Sequence, residues 1–169
     1  MSALSRRGFL AAGGALCIGF RMGGMPAFAQ AQADSALPGP LRNHPQVDAW
    51  LRIGADDRVT LFTGKAELGQ GLKTALVQLA AEELDVPPEW VDVVVADTAR
   101  TPNESYTAGS RSIADSGMSI RHAAAEARHI LLQAAAARFG VTVDSLAVAE
   151  GRIVASGGRV VRYGELVGE

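Results

Sequence analysis

The stretch Thr63–Asp85, TGKAELGQGLKTALVQLAAEELD, sets the reading of this chain. It opens on Gly64-Lys65, reaches Gly69-Gln70-Gly71, and then takes on helical spacing. Leu72, Ala75, Leu76, Leu79, Ala80 and Leu84 share one face, which predicts an amphipathic helix from Gly71 to about Asp85. A helix start carries N–H groups without intrahelical partners, and the flanking glycines leave them unshielded, so the turn can meet an anionic or oxo group. Gln70 adds an amide that donates or accepts. The plainer alternative is a glycine-rich strand-to-helix turn with an ordinary core helix behind it. Short glycine motifs alone do not separate the two.

The chain has 169 residues, 48% hydrophobic and 20% charged, enough for one globular domain with a core. All 18 acidic residues lie at Asp34 or later. Setting aside Arg6, Arg7 and Arg21 leaves 13 of the 16 basic residues against those 18, a net charge of −5 for the remainder. An acidic chain with only two Trp, two Tyr and five Phe is not expected to bind nucleic acid.

Ser5-Arg6-Arg7-Gly8-Phe9-Leu10 sets paired arginines before an apolar run ending at Phe20, and Ala27-Phe28-Ala29 follows as a small-residue cleavage site. This order predicts a twin-arginine export signal over 1–29 and a periplasmic protein. The apolar run is shorter than the roughly 20 residues a membrane span needs, so no stable anchor is expected. That route carries folded proteins, often with a cofactor already inserted. Cys17, the only cysteine, lies within the signal. A cleaved chain then has no disulfide, no iron–sulfur cluster and no cysteine nucleophile.

Residues 30–46 read as a linker, and 47–169 as the domain. Val47–Ile53 predicts a first strand, Arg58–Thr63 its hairpin partner, and Val91–Val95 a buried strand. Asp97–Ser112 (DTARTPNESYTAGSRS) is aperiodic and long enough to be a functional loop, with Thr107, Gly109, Ser110 and Ser112 able to offer hydrogen bonds. A helix from about Asp115 to Phe139 buries Ile120, Ala124, Ala127, Leu131, Ala134 and Ala135, and Gly140 caps it. Short strands follow at 144–149, 152–155 and 159–162, then a helix beginning at Tyr163. The fold class is α+β, mostly antiparallel strands packed against two main helices. His122 and His129 stand seven apart on one helix, which is not a metal-pair spacing, so no metal ligands are assigned within the chain.

Glu67-Leu68-Gly69-Gln70-Gly71-Leu72, with Thr74, Gln78 and Glu82-Glu83-Leu84, resembles the E-M-G-Q-G turn and following helix of the molybdenum hydroxylases, the xanthine dehydrogenase and aldehyde oxidase family. Thr107-Ala108-Gly109-Ser110-Arg111-Ser112, running on to Gly117, is similar to that family's second cofactor-binding loop. The arginine pair, Trp50-Leu51-Arg52-Ile53 and Tyr163-Gly164-Glu165-Leu166 resemble its exported, isoquinoline 1-oxidoreductase-like branch. The resemblance covers essentially the whole chain and implies a molybdopterin, in its cytosine dinucleotide form, carrying molybdenum. It implies a catalytic role for Gln70, whose amide hydrogen-bonds an oxo ligand, with Gly69 and Gly71 admitting close approach. Gly109, Ser110, Arg111 and Ser112 would hold the pterin or its tail. The family hydroxylates aldehydes or N-heterocycles with oxygen from water and passes electrons to iron–sulfur clusters.

Family large subunits are several times longer, and their general-base glutamate, near the far C-terminus, has no match here. The chain reads as the N-terminal part of such a subunit, inactive alone. The remainder of the subunit or a separate catalytic chain, an iron–sulfur small subunit and a c-type cytochrome are the implied partners. A non-catalytic periplasmic α+β binding or interaction module is the competing reading.

Overall fold

A computed structural model describes residues 37–168 together with a two-residue strand at Ala15–Leu16. That strand, β1, pairs antiparallel with β2 (Leu51–Gly54), which pairs antiparallel with β3 (Val59–Thr63). β3 then runs parallel to β4 (Val91–Val95), in register from Val59 opposite Val91 to Thr63 opposite Val95. Consecutive parallel strands need a crossover, and α2 (Leu72–Leu84) supplies it. A short α1 (Gly39–Asn43) precedes β2. The second helix of weight, α3 (Met118–Phe139), follows the long loop. A separate antiparallel meander of β5 (Leu146–Ala149), β6 (Arg152–Ala155) and β7 (Val160–Arg162) leads into α4 (Tyr163–Val167). The α+β expectation holds: one strand pair is parallel and the rest are antiparallel among the described residues.

The core lies where α2 and α3 pack on each other and on the first sheet. Leu72, Leu76, Ala80 and Leu84 of α2 meet Ile120, Ala124, Ala127 and Leu131 of α3, with Ile53, Val59 and Leu61 beneath. Each fully buried Leu or Ile contributes about 2 kcal/mol. Alanines on α3 let the helices approach closely, and Gly117 continues the fit. A Cβ there would lie 3.1 Å from Leu79 Cδ1 on α2.

Four expectations are corrected. Val47–Ala49 is a 3-10 turn, not strand, because Trp50 N–H returns to the Val47 carbonyl and the indole, fully buried, donates to the His44 carbonyl at 2.8 Å. Of Val91–Val95 only Val91 is buried and Val93–Val95 are half-buried, since β4 lies at the end of its sheet's strand order. Ala134 faces outward while Ala123 and Ala136 are buried, a small rotation of the expected stripe. The 30–46 segment includes α1, whose Leu41 is 1% exposed, so packed structure begins before Val47. Apart from Ala15 and Leu16, the expected signal over 1–29 lies outside the described residues. No described helix is long and apolar enough to cross a membrane.

The C-terminal turn is fastened to the first sheet by one carboxylate. Asp57, 6% exposed, accepts from the Gly164 N–H at 2.6 Å and from the Arg162 guanidinium at 2.7 Å. Gly164 must be glycine, because a Cβ would meet the Ala55 carbonyl at 2.4 Å. Tyr163 donates its hydroxyl to the Leu84 carbonyl at the end of α2, and burial pushes its phenol well above the usual range. Replacing Asp57 with alanine strands the Gly164 N–H and leaves Arg162 with Glu165 alone, and should lower unfolding free energy by roughly 1–3 kcal/mol. Urea denaturation of the two proteins measures this, and equal midpoints would contradict it.

Candidate functional site

β3 ends at Thr63, and the chain leaves the sheet through Gly64, Lys65 and Ala66. Three groups then tie this exit to the 97–111 loop. Glu104 Oε2 accepts from the Thr63 hydroxyl at 2.6 Å and from the Gly64 N–H at 2.7 Å. Lys65 Nζ runs the other way, donating to the carbonyls of Glu104 at 2.6 Å and Tyr106 at 3.1 Å. The Ala66 N–H then donates to the Thr107 hydroxyl at 2.7 Å. Lys65 is 3% exposed and Glu104 6%. A buried ammonium and a buried carboxylate are tolerable only when hydrogen-bonded: Lys65 is met by two backbone carbonyls, and Glu104 by one backbone N–H and one hydroxyl. One acceptor is left over: Glu104 Oε1 is buried with no hydrogen-bond partner among the described residues. Gly64 is dictated by this closeness, since a Cβ would sit 2.4 Å from the Pro102 carbonyl.

The turn from Ala66 to Lys73 is wound around two side chains of its own. Glu67 Oε1 accepts from the N–H groups of Gly69 at 2.8 Å and Gly71 at 3.1 Å, and Oε2 accepts from Lys73 N–H at 2.9 Å. The helix start is therefore capped by a carboxylate four residues upstream of its glycine N-cap, which engages the Gly71 and Lys73 N–H groups. The Lys73 N–H above all, with those of Gly71, Gly69 and Gln70, holds the Glu67 carboxyl below the usual range, against a partial loss of hydration. Gln70 folds back on the same turn. Its Oε1 accepts from Leu68 N–H at 2.5 Å and its Nε2 donates to the Ala66 carbonyl at 2.9 Å. Gly69 and Gly71 have φ of 90° and 80°, the left-handed region, and no heavy atom of the described residues lies within 4 Å of a Cβ built on either. The backbone there is open to close approach.

The second loop has its own left-handed pair, Gly109 at φ 66° and Ser110 at 57°. Both are exposed, as is Arg111, whose guanidinium pairs with Asp115 at 2.7 Å. Ser112, half-buried, begins a π-helical turn, Ser112–Gly117, that leads into α3. A cavity of about 740 Å³ opens beside this loop, with Lys65, Glu104, Gly109, Arg111 and, from α1, Arg42 in its walls. Gly69, Gln70 and Gly71 do not line it.

The structure thus brings the two glycine-bearing segments together through Ala66 and Thr107, while the Gln70 amide is turned onto its own backbone. Sequence reading missed Lys65 and Glu104 as the fastening between the segments, and Glu67 as the cap. A lysine directly after a strand and a glutamate inside an otherwise polar loop look solvated. Only their long-range pairing, about forty positions apart, marks them as buried.

A model of the molybdopterin cofactor-binding domain matches residues 8–169. A nicotinate dehydrogenase subunit from Pseudomonas putida is 37% identical over 128 residues, 76% of this chain and 11% of that protein. The beta subunit of isoquinoline 1-oxidoreductase from Brevundimonas diminuta is 36% identical over 174 residues, 97% of this chain and 22% of that one. Among solved structures, quinoline 2-oxidoreductase from Pseudomonas putida 86 superposes with a TM-score of 0.61 at 27% identity, covering 70% of this chain and 15% of that chain. This chain therefore spans about a fifth or less of the length of these proteins.

Two outcomes follow from the geometry. Gly64→Ala forces a methyl against the Pro102 carbonyl and should destabilise by about 1–3 kcal/mol, read from the thermal midpoint; an unchanged midpoint would show that the loop contact is not made. For Glu67 the folded carboxyl lies below its unfolded value, so the cap is present above the ordinary range of about 4.3 and is lost as pH falls through the lower folded value. The amide shifts of Gly69, Gly71 and Lys73 should move together below that range. A common midpoint at or above it would contradict the cap.

Proposed function

The chain belongs to the molybdopterin cofactor-binding domain family, within the molybdenum hydroxylases that include xanthine dehydrogenase and aldehyde oxidase, and from that membership we propose that it is the cofactor-gripping segment of an exported oxidoreductase. The observation that carries the proposal is the bond from Ala66 N–H to the Thr107 hydroxyl, which makes one site of the two glycine-bearing segments.

The residues present fit a molybdopterin. Gly69 and Gly71 are exposed, and no heavy atom of the described residues lies within 4 Å of a Cβ built on either. Glu104 Oε1 is a buried acceptor in want of a donor, and a pterin carries ring and amine N–H groups. Gly69, Gln70 and Gly71 would hold the metal end, and Gly109, Ser110, Arg111 and Ser112 the pterin or a cytosine dinucleotide tail. When bound, the group supplies an activated oxygen from water and takes two electrons from the substrate. The chain's own work is to bind and orient. Gln70 would leave the Leu68 and Ala66 backbone and turn its amide toward the metal's ligands. The Lys65–Glu104 fastening would hold the second loop at a fixed distance from that amide.

Nitrogen heterocycles are the favoured substrate class over aldehydes, because nicotinate dehydrogenase, isoquinoline 1-oxidoreductase and quinoline 2-oxidoreductase are named for them. The relatives that are named as subunits support completion by further polypeptide, an iron–sulfur chain and a cytochrome acceptor being the partners proposed. Export by the twin-arginine route to the periplasm rests on Arg6-Arg7 and the apolar run behind them.

Protein purified from a molybdate-replete host, together with its partner chains, should contain molybdenum and pterin. Neither being present would leave the non-catalytic module as the reading. In the assembled enzyme Gln70→Ala should keep the fold and lose turnover roughly 100-fold or more, the scale of removing one preorganised donor. Wild-type turnover would remove Gln70 from the site.

A further inference from the structure

We propose that Glu67 is the positioning residue of the Gln70 turn: its carboxylate winds the Gly69–Lys73 backbone and leaves the Gln70 side chain as the one releasable group of that turn. This inference rests on the cofactor-binding reading and adds to it the means by which Gln70 is presented.

The turn lacks a side-chain cap of the ordinary kind. α2 has 13 residues, its N-cap is Gly71, and a glycine has no side chain with which to cap. Two glycines in the left-handed region are also the residues that lose most freedom on being fixed. Among the described residues no heavy atom lies within 4 Å of a Cβ built on either of them, so no side-chain packing fixes them from that direction. What holds them is Glu67, which takes the Gly69, Gly71 and Lys73 N–H groups at 2.8, 3.1 and 2.9 Å.

Gln70 closes the same turn from the opposite direction, with one bond from the Leu68 N–H and one to the Ala66 carbonyl. Both are neutral. Charge-assisted bonds are about twice as strong as neutral ones, so a ligand competing for the turn displaces Gln70 before it displaces Glu67. Because Glu67 already takes the Gly69, Gly71 and Lys73 N–H groups, those three amides are engaged, and the neutral Gln70 amide is the side-chain group the turn can offer to a ligand. The other end of the turn is anchored independently, by Ala66 N–H on the Thr107 hydroxyl. Release of Gln70 therefore leaves the backbone where it was.

The test is amide hydrogen exchange on the ¹⁵N-labelled full chain, with E67A, E67Q and Q70A beside the wild type. In E67A, Gly69, Gly71 and Lys73 should all exchange faster, on the order of tenfold, while amides of the β3–β4 ladder keep their rates. E67Q discriminates. Its single oxygen can replace the acceptor for Gly69 and Gly71, but its amide nitrogen cannot accept from Lys73, so only Lys73 should be released. Q70A should leave all three protected. Unchanged rates in E67A, the same pattern in E67Q as in E67A, or release by Q70A equal to that by E67A would each overturn the proposal. If E67A does not fold, the E67Q pattern decides. These readings need no cofactor, so a chain that never takes up molybdenum refutes the cofactor reading while leaving the Glu67 result standing.

Discussion

The site depends on a crossed pair of buried charges that bond to the opposite segment's backbone and, for Glu104, to the Thr63 hydroxyl, not directly to each other. Glu104 reaches from the long loop to the exit of β3, and Lys65 reaches from that exit back to the loop's carbonyls. Neither residue could be buried at this depth without such partners, so the two loops are committed to one another once the pair forms. Each side chain also fixes the backbone on which the other is carried. The parallel register of β3 with β4 sets where the exit and the loop begin, because Ala96 N–H still bonds to the Thr63 carbonyl as the strands part. Everything proposed for the cofactor follows from that junction.

Local and long-range forces divide the work between the two glycine segments. The 66–73 turn is almost self-contained: Glu67 and Gln70 satisfy it from within, and α2 continues from it into the core. The second loop is held from outside by Lys65 and by the Ala66 N–H on its Thr107 hydroxyl, and then passes through a π-helical turn into α3. Gly117 lets that start lie on Leu79 of α2. Both segments therefore end on helices that pack together, which gives the exposed glycines a rigid base.

Much of this was legible in the sequence because it is local. Leu72, Leu76, Ala80 and Leu84 give α2 by their period, and Gly140 ends α3 at φ 66° as a C-cap glycine should. The Gly69-Gln70-Gly71 turn was also visible, since glycines at left-handed positions leave a compositional mark. The rest was not, for a physical reason in each case. Trp50 turned the first part of the expected strand, Val47–Ala49, into a 3-10 turn through an indole bond to His44, six residues away, while Leu51–Gly54 is strand. The half-burial of Val93–Val95 depends on which strand ends the sheet, a property of topology. Lys65 and Glu104 look like surface charges until the fold sets them about forty positions apart in sequence and within hydrogen-bond reach in space. Glu67 matched a motif position, yet it caps from four residues upstream of the N-cap, a reach that depends on how the two glycines wind the turn.

The central claim is that the two fastened segments grip a molybdopterin, with Gln70 turned out of its own backbone to meet it. A structure of the assembled, cofactor-loaded protein measures this directly. The account predicts cofactor density between the 66–73 turn and the 104–112 loop, the Gln70 amide within hydrogen-bond distance of a ligand on the metal, and Glu67 still on the Gly69, Gly71 and Lys73 N–H groups. Density lodged elsewhere, with Gln70 still on Ala66 and Leu68, would contradict it.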